Sequence, residues 1–354
     1  QLSPSVSLIS VSKCPLANIL SQYPRLTEPK FSDTMPKHGV EHYIHTTGPP
    51  VHARARRLST EKLAAAKAEF EKMEEMGIVR KSCSPWASPL HLVRKPDGSW
   101  RPCGDFRRLN CKTVPDRYTI PHIQDLTCRL FGKTIFSKID LVRGYHQVPV
   151  HFADVPKTAV ITPFGLFEYT PMPFGLCNSG QTFQRLMDSV CRGLDFLFVY
   201  LDDILIASSN MKEHQQHLRV LFDRLMEHGL IVKKEKCIFG VSTIDFLGHR
   251  ISAEGITPLP DKVRVILDFP RPITVKELQR YVGILNFYHR FLPRAASLMR
   301  PLYSALQKKP SASKILTWCP EMSTAFDASK HALAEATICL LYTSDAADEH
   351  RDVE

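Results

Sequence analysis

Two adjacent carboxylates, Asp202 and Asp203, interrupt a run of residues that is otherwise apolar. Residues 196–201 precede the pair and residues 204–206 follow it, a pattern typical of a buried strand. Burying one unpaired carboxylate is costly, and a second beside it adds electrostatic repulsion. A divalent cation would offset that cost, so the pair predicts a metal site.

A third carboxylate, Asp140, follows a strand-like segment at residues 135–139. In an α/β arrangement, a strand that carries Asp140 would lie beside a tight hairpin tipped by Asp202 and Asp203. Three converging carboxylates favour Mg²⁺ or Mn²⁺. Two such ions can activate a 3′-hydroxyl and stabilise a leaving pyrophosphate during phosphoryl transfer.

Periodicity and turn chemistry predict the elements that would position these acids. The predicted helices are 60–76, closed by Gly77, then 179–194, and 212–228, closed by Gly229. The predicted strands are 90–93, after which a turn lies at Pro96-Asp97-Gly98, and 136–140, followed by a hairpin of 159–162 with 166–170. Past Gly255, short helices broken by prolines predict a domain boundary near that residue.

The chain of 354 residues has 46 Lys plus Arg against 36 Asp plus Glu, for a formal charge of +10. This excess favours a polyanionic partner, nucleic acid before a membrane surface, with a basic protein lacking such a partner as the alternative. No apolar stretch reaches the roughly 20 residues of a membrane span. The ten cysteines include no C-x-x-C pair, which favours reduced intracellular thiols over a zinc site or a disulfide framework.

Several ordered motifs resemble the reverse transcriptase region of the Pol polyprotein of Ty3/gypsy-type LTR retrotransposons. They are WRPCGDFRRLN from Trp100, IDLVRGYHQ from Ile139, MPFGLCN from Met172, YLDD from Tyr200 and FLGH from Phe246. The resemblance runs from about His45 to Phe326. It implies an α+β fold with a mixed α/β palm, in a right-hand polymerase architecture of fingers, palm and thumb, truncated at the start of the connection/RNase H region.

The resemblance also implies roles for individual residues. The catalytic acids would be Asp140, Asp202 and Asp203, which with the Leu141 carbonyl would hold two Mg²⁺ or Mn²⁺ ions. The incoming dNTP would contact Lys95, Arg101, Tyr145, Phe174 and Gly175, with Tyr145 as a gate against the ribose 2′-hydroxyl or, alternatively, a plain core aromatic. The primer grip would be Phe246, Leu247 and Gly248.

Further roles follow from the same resemblance. Lys236 would be a general acid that protonates pyrophosphate, with a plain surface lysine as the alternative. Gln184 would face the template. Residues 278–291 would form a thumb helix on the duplex, with Arg280, His289 and Arg290 as phosphate contacts.

The resemblance divides the chain into a leader or linker at 1–58, fingers and palm at 59–255, a thumb at 256–312 and a truncated connection/RNase H start at 313–338. Residues 339–354 resemble a translated sequencing-library adapter, and we interpret them as a non-native tail in which Asp345 mimics an RNase H acid. RNase H activity is therefore not expected from this chain.

The expected activity is RNA-directed DNA polymerisation. The expected partners are an RNA template, a DNA or tRNA primer, an RNA–DNA hybrid and dNTPs, with no membrane. The resemblance implies an intracellular location, first in a cytoplasmic virus-like particle and then in the nucleus. A decayed or domesticated fragment that binds nucleic acid without polymerising is the alternative, and a metal-dependent nuclease is disfavoured because it would not need nucleotide-pocket and primer-grip motifs.

Overall fold

The computed structural model describes residues 16–27, 37–95, 98–123, 125–292, 294–307, 311 and 314–334. The predicted tail at 339–354, the acid mimic Asp345 and two residues of the predicted turn, Pro96 and Asp97, lie outside these ranges. Packing divides the chain into two compact units. The first comprises Gln1–His122 with Ser137–Gly240, and the second comprises Ile123–Phe136 with Val241–Glu354.

Helices and strands alternate along the first two thirds of the chain. The helices are α1 Ala17–Ser21, α2 Thr60–Glu75, α3 Arg107–Asn110, α4 Asp125–Arg129, α5 Ser179–Val190, α6 Met211–Glu227, α7 Pro260–Leu267, α8 Val275–Phe287, α9 Ala295–Ser304 and α10 Pro320–Ala334. The strands are β1 Val79–Lys81, β2 Ser88–Arg94, β3 Trp100–Gly104, β4 Ile135–Asp140, β5 Val160–Thr162, β6 Gly165–Tyr169, β7 Leu197–Tyr200, β8 Asp203–Ser208, β9 Ile238–Val241, β10 Thr243–Phe246, β11 His249–Ser252 and β12 Gly255–Pro258.

Two sheets organise the part of the chain that carries the acids. A five-stranded sheet has the order β1-β6-β5-β2-β3, and a four-stranded sheet has the order β7-β8-β4-β9. The apolar run around the acid pair forms the β7–β8 hairpin, whose Leu197, Ile204 and Ile206 are buried. The mixed α/β character predicted from the sequence is therefore confirmed.

Amphipathic helices cover the hydrophobic core of the first unit. Helix α5 buries Phe183, Leu186, Met187 and Val190, the apolar face predicted from its periodicity. Helix α6 buries Leu218, Leu221, Phe222 and Leu225. The glycines predicted to end α2 and α6, Gly77 and Gly229, have φ of +68° and +73°, a left-handed conformation that glycine adopts without steric cost. Helix α5 ends at Val190, four residues earlier than predicted.

The predicted leader contributes to the core of the first unit. Leu16, Ile19, Leu20 and Leu26 are almost fully buried in the hydrophobic cluster that also contains residues of α5 and α6. Further along, His42 is also buried, and its Nδ1 lies 2.8 Å from the Thr182 hydroxyl. The prediction of a leader or linker at 1–58 does not indicate these contacts. Weak periodicity over five-residue pieces such as α1 gives little signal of burial.

The second unit contains a small antiparallel sheet, β10-β11-β12, followed by helices α7 to α10. Helix α8 begins with a capping box in which Thr274 and Glu277 satisfy each other's backbone N–H groups. Its Tyr281 is fully buried and its hydroxyl lies 2.7 Å from that of Ser329 on α10. The functional domain boundaries at 58, 255, 312 and 338 remain predictions, because packing units and functional subdomains need not coincide.

No helix in the described ranges combines the length and the hydropathy needed to cross a membrane.

Replacing Leu20 by Ala should lower the free energy of unfolding by about 2–5 kcal/mol, because Leu20 is 1% exposed in the core. Urea unfolding measures this change. The matched control is Ser21→Ala on the same short helix, where the side chain is exposed and the change should be within about 0.5 kcal/mol. Equal stabilities of the two variants would contradict the placement of this segment in the core.

Candidate active site

The acid pair lies at the tip of the β7–β8 hairpin. Tyr200 pairs with Asp203 across the ladder, so Leu201 and Asp202 form a two-residue turn. Leu201 has φ of +55°, a left-handed conformation that is rare for a residue with a branched side chain. The predicted tight hairpin is therefore present, and its turn is held in a strained backbone conformation.

Asp140 ends strand β4, which lies between β8 and β9 in the same sheet. The loop after it approaches the hairpin closely at Gly144, where an added Cβ would lie 3.1 Å from the Asp202 Cβ and 3.2 Å from the Phe183 ring. A larger residue at Gly144 would push the Asp202 turn away. The sheet order and this glycine together bring Asp140 close enough to Asp202 for its charge to raise the pKa of Asp202.

The backbone after Asp140 is fixed by a buried amide side chain. Gln147 donates from Nε2 to the carbonyls of Val142 and Ile231, and its Oε1 accepts from the Ile231 N–H at 2.7 Å. The Asp140 carbonyl accepts from the Lys233 N–H. The segment around Leu141, whose carbonyl the resemblance assigns to a metal, is therefore held on both sides.

The three carboxylates share a small region with two lysines. Lys138 Nζ lies 2.6 Å from Asp203 Oδ1, and Lys236 Nζ lies 3.4 Å from Asp140 Oδ2. Burial raises the pKa of the Asp202 carboxyl, and the charges of Asp203 and Asp140 raise it further. A further cation beside Asp202 would therefore stabilise its ionised form. Sequence reasoning missed Lys138, because its contact with Asp203 depends on the packing of β4 beside β8.

The described residues contain no group of three or more His, Cys, Asp and Glu side chains arranged as a metal site on their own. Mg²⁺ is usually held by one or two carboxylates together with water and substrate phosphates, so a complete protein cage is not required. Oxygen donors and a partly buried Asp202 with a raised pKa fit a hard divalent cation that enters with a triphosphate.

Aromatic rings line the space beside the acids. The Tyr145 ring centroid lies 4.9 Å from that of Phe174 and 5.3 Å from that of Phe183. Burial raises the pKa of Tyr145 to about 12, and the charge of Asp202 acts in the same direction. The structure therefore brings Tyr145 and Phe174 together near Asp202, as the predicted nucleotide pocket requires.

Gly175 follows Phe174 with φ of +94°. Its carbonyl accepts a hydrogen bond from Asn110 Nδ2 at 2.8 Å, and Asn110 Oδ1 accepts from the Cys177 N–H at 2.9 Å. Asn110 thus fixes both sides of the turn that presents Phe174. The sequence motif contained Asn110, but nothing in its type or spacing indicated this contact.

A cavity of about 440 Å³ opens beside Gly175, with Arg56, Asp105 and Arg107 in its lining. Both guanidinium groups lie on the same carboxylate oxygen, Asp105 Oδ2, at 2.6 Å from Arg56 and 2.7 Å from Arg107. Hydrogen bonds from Arg107 and then Arg56 hold the pKa of Asp105 well below its usual range. Two cations on one anion leave net positive charge at the cavity, which suits a phosphate-bearing ligand.

The remaining predicted dNTP contacts, Lys95 and Arg101, lie on the β2–β3 hairpin. Arg101 is exposed and pairs in register with Val93. The Lys95 backbone closes the turn, since its N–H donates to the Ser99 carbonyl and its carbonyl accepts from the Gly98 N–H. Their contact with a triphosphate stays a prediction.

Gln184 does not face a template. Its side chain is completely buried on α5, where Oε1 accepts from the Leu201 N–H at 2.9 Å and Nε2 donates to Asp188 Oδ1 at 2.9 Å. The predicted template contact is therefore wrong. Helix α5 buries residues on either side of its apolar stripe, so helical spacing alone misjudged which face Gln184 occupies.

In the second unit, the predicted primer grip forms the turn of the β10–β11 hairpin. Phe246 is buried, and Leu247 and Gly248 have φ of +45° and +79°, as in a type I′ turn. The Tyr288 hydroxyl donates to the Gly248 carbonyl, and an added Cβ on Gly248 would lie 3.2 Å from that hydroxyl oxygen. The turn is sharply defined, and its role as primer grip stays a prediction.

The predicted thumb contacts have partners of their own. Helix α8 ends at Phe287, and a short 3₁₀ turn, His289–Phe291, follows. Arg290 Nη1 donates to the Thr127 hydroxyl at 3.0 Å, and His289 Nδ1 lies 3.1 Å from the Asn286 carbonyl. The Arg280 guanidinium lies 5.9 Å from the centre of the Phe269 ring.

A buried polar network behind the acids went unnoticed in the sequence. His214 on α6 lies 2.7 Å from the hydroxyls of both Ser137 on β4 and Ser208 on β8, one at each ring nitrogen. Ser137 also accepts the Gly240 N–H. One histidine thus ties together the strands that carry Asp140 and Asp203. Its i, i+3 spacing to His217 was visible, but the two serine partners were distant in the chain.

Comparison with known proteins agrees with this geometry. Residues 93–251 match the family described as "Reverse transcriptase (RNA-dependent DNA polymerase)". The chain is 35% identical over 296 residues to the "Retrovirus-related Pol polyprotein from transposon 297" of Drosophila melanogaster, covering 81% of this chain and 28% of that protein. It is 29% identical over 347 residues to the "Transposon Tf2-3 polyprotein" of Schizosaccharomyces pombe, covering 94% of this chain and 26% of that protein.

Solved structures give the same picture. The foamy viral protease-reverse transcriptase dRH in complex with double-stranded DNA has a TM-score of 0.81 and 25% identity, covering 92% of this chain and 57% of that one. The foamy viral protease-reverse transcriptase in complex with an RNA/DNA hybrid has a TM-score of 0.78, covering 93% of this chain and 44% of that one. The predicted polymerase fold is therefore confirmed.

The buried His214 should make stability depend on pH. Burial lowers its pKa to about 4, below the ordinary value of 6.5, so the unfolded chain binds a proton that the folded chain rejects. Stability should therefore fall as the pH drops from about 6.5 to about 4. In urea unfolding across this window, His214→Asn should reduce the dependence by up to about 1.4 kcal/mol per pH unit.

The exposed His45 provides the control for this measurement, since His45→Asn should leave the pH dependence of the wild-type chain unchanged. A His214 variant whose stability varies with pH as the wild type does would contradict the buried, neutral assignment.

Proposed function

This chain carries a reverse transcriptase domain related to those of Ty3/gypsy-type retrotransposon Pol polyproteins, and we propose that it catalyses RNA-directed DNA synthesis. The observation that carries the proposal is the cluster of Asp140, Asp202 and Asp203, in which burial and the neighbouring carboxylates raise the pKa of Asp202. The chain spans less than a third of the length of these polyproteins. Their other activities are therefore not assigned to it.

Asp140, Asp202 and the Leu141 carbonyl would hold two Mg²⁺ or Mn²⁺ ions, with Asp203 as the third acid. When bound, such ions lower the pKa of the primer 3′-hydroxyl and stabilise the charge on the leaving pyrophosphate. A bound cation would offset the burial of Asp202 and its repulsion by Asp203 and Asp140, which together raise its pKa. Lys236, whose Nζ lies 3.4 Å from Asp140 Oδ2, is close enough to the acids to donate a proton to pyrophosphate as it leaves.

The nucleotide would lie against Tyr145 and Phe174. Tyr145 packs on both Phe174 and Phe183, so its ring cannot easily move to admit a ribose 2′-hydroxyl. Gly175 allows the backbone to approach the base pair, and Asn110 keeps that turn in place. Lys95 and Arg101 would bind the triphosphate, for which a guanidinium offers bidentate contacts.

Template and primer partners are proposed from charge and from the related structures. The chain carries a formal charge of +10, which favours a nucleic-acid duplex. The foamy viral proteins were solved with double-stranded DNA and with an RNA/DNA hybrid. We extend both duplexes to this chain, with a DNA or tRNA primer held at residues 246–248 and a template strand near the cationic cavity of Arg56 and Arg107.

Replacing Asp202 by Asn should lower Mg²⁺-dependent extension of a DNA primer on an RNA template by about a thousand-fold or more, because a metal ligand is lost. Binding of the primer–template, measured by fluorescence anisotropy, should stay within about two-fold, since most affinity comes from phosphate contacts. The control is Asp195→Asn, an exposed carboxylate in the turn before β7, which should extend primers normally.

Full activity of the Asp202 variant would rule out the assignment. A wild-type chain that binds duplex but never extends it would instead support the non-polymerising alternative.

Replacing Tyr145 by Val should reduce discrimination against ribonucleotides by about 10- to 100-fold, because the ring that blocks the 2′-hydroxyl is removed. Single-nucleotide incorporation of dNTP and rNTP measures the ratio of the two kcat/KM values. Tyr43→Val, an exposed aromatic on another surface, should leave the ratio unchanged. An unchanged ratio in the Tyr145 variant would make this residue a core aromatic and no gate.

A further inference from the structure

The catalytic hairpin holds one residue in an unfavourable backbone conformation. Leu201 has φ of +55° immediately before Asp202. Side chains other than Gly, Asn and Asp visit this region at a cost, and they persist there only where surrounding contacts hold them. Something outside the turn must therefore keep the Leu201 peptide in place, and with it the direction of the Asp202 side chain.

The holding contact is the side chain of Gln184. Its Oε1 accepts the Leu201 N–H at 2.9 Å, while Nε2 donates to Asp188 Oδ1 at 2.9 Å and lies 3.4 Å from the Val199 carbonyl. Gln184 is 0% exposed, so no water competes for the Leu201 N–H from its side. One amide thus binds the strained peptide and the strand that leads into it.

The amide is in turn oriented from the other side. The Tyr118 hydroxyl donates to Asp188 Oδ2 at 2.6 Å, and the other oxygen of that carboxylate accepts from Gln184 Nε2. With the Nε2 end directed at Asp188, the Oε1 end must point at Leu201. The chain Tyr118–Asp188–Gln184 therefore selects one of the two amide orientations, the one that can accept from the hairpin.

We infer that Gln184 is a positioning residue that clamps the strained Leu201 peptide and so aims Asp202, with Tyr118 and Asp188 fixing the orientation of the clamp. The inference rests on the proposed polymerase function for its catalytic consequence. Gln184 touches neither nucleotide nor metal in this scheme. Its effect is on the fraction of molecules in which Asp202 points at the reacting atoms.

Primer extension by Gln184→Met tests the inference, since Met keeps the buried volume but offers no acceptor to the Leu201 N–H. With the turn relaxed, kcat should fall by about 10- to 100-fold, as expected when a catalytic group is displaced by roughly 1 Å. The KM for dNTP and the affinity for primer–template should stay within about two-fold, because nucleotide and duplex contacts are unchanged.

Thr182→Val is the matched control. Thr182 lies on the same helix, is 5% exposed and is bonded to His42 on the side away from the hairpin. A general loss of helix packing would affect Thr182→Val and Gln184→Met alike. The clamp predicts a fall in kcat for Gln184→Met only.

Leu201→Asn in the Gln184→Met background should restore part of kcat, about three-fold or more, because Asn tolerates positive φ without an external clamp. A purely structural role for Gln184 would show no such rescue. Tyr118→Phe keeps Gln184 and replaces only a partly exposed hydroxyl, so it should fold normally and still lower kcat by about two- to five-fold. Tyr118→Phe therefore tests the chain of contacts even if Gln184→Met does not fold.

Hydrogen exchange of the Leu201 amide measures the protection that its hydrogen bond to Gln184 provides, and it does not depend on catalysis. Protection should fall about ten-fold or more in Gln184→Met and stay as in the wild type in Thr182→Val. An active wild type with equal kcat and equal protection in Gln184→Met overturns the inference and leaves the proposed function standing. An inactive wild type overturns the proposed function, and the catalytic role of the clamp with it.

Discussion

The mutual repulsion of three carboxylates is the constraint on which the structure of this site depends. Asp140, Asp202 and Asp203 come from two neighbouring strands of one sheet, and burial with neighbouring charge raises the pKa of Asp202. Left alone, such a group would separate or take up protons. Lys138 and Lys236 offset part of the negative charge at Asp203 and Asp140. The remaining negative charge repels the carboxylate of Asp202. The three carboxylates therefore favour a bound cation, although the described side chains do not enclose one on their own.

Charge balance alone would not keep the acids in place, because each lies next to an irregular piece of backbone. Two buried glutamines hold this backbone in place through hydrogen bonds to its N–H and carbonyl groups. Gln147 binds carbonyls and an N–H beside the loop after Asp140, and Gln184 binds the N–H of the turn before Asp202. An amide suits both places because it donates and accepts from one rigid group and adds no charge to an already acidic site. Gly144 completes the arrangement by letting the loop and the turn meet.

Local patterns in the sequence were sufficient to predict the strand and the hairpin that carry the acids, and the glycines that end α2 and α6, because each depends on neighbours within a few residues. The role of Gln184 could not be read in this way. It depends on which side of α5 the hairpin covers, and that is set by packing between segments far apart in the chain. The same reason hid the links of Lys138 to Asp203, of Asn110 to the Gly175 turn, and of His214 to Ser137 and Ser208. The small β10–β12 sheet was missed because its four-residue strands are too short to show alternation.

The order of strands in the four-stranded sheet has a consequence for how the chain is made. Strand β4 lies between β8 and β9, yet both neighbours are synthesised long after it. Until the β7–β8 hairpin is made, β4 has neither partner and both its edges are open to pairing with other chains. While α6 is added, the edge that β9 will cover is still open. Assembly of the sheet must wait for Ile238–Val241 to emerge, so pairing is non-local and folding should be slow. The strand that carries the first acid is therefore open to misassembly during translation until both its neighbours have formed.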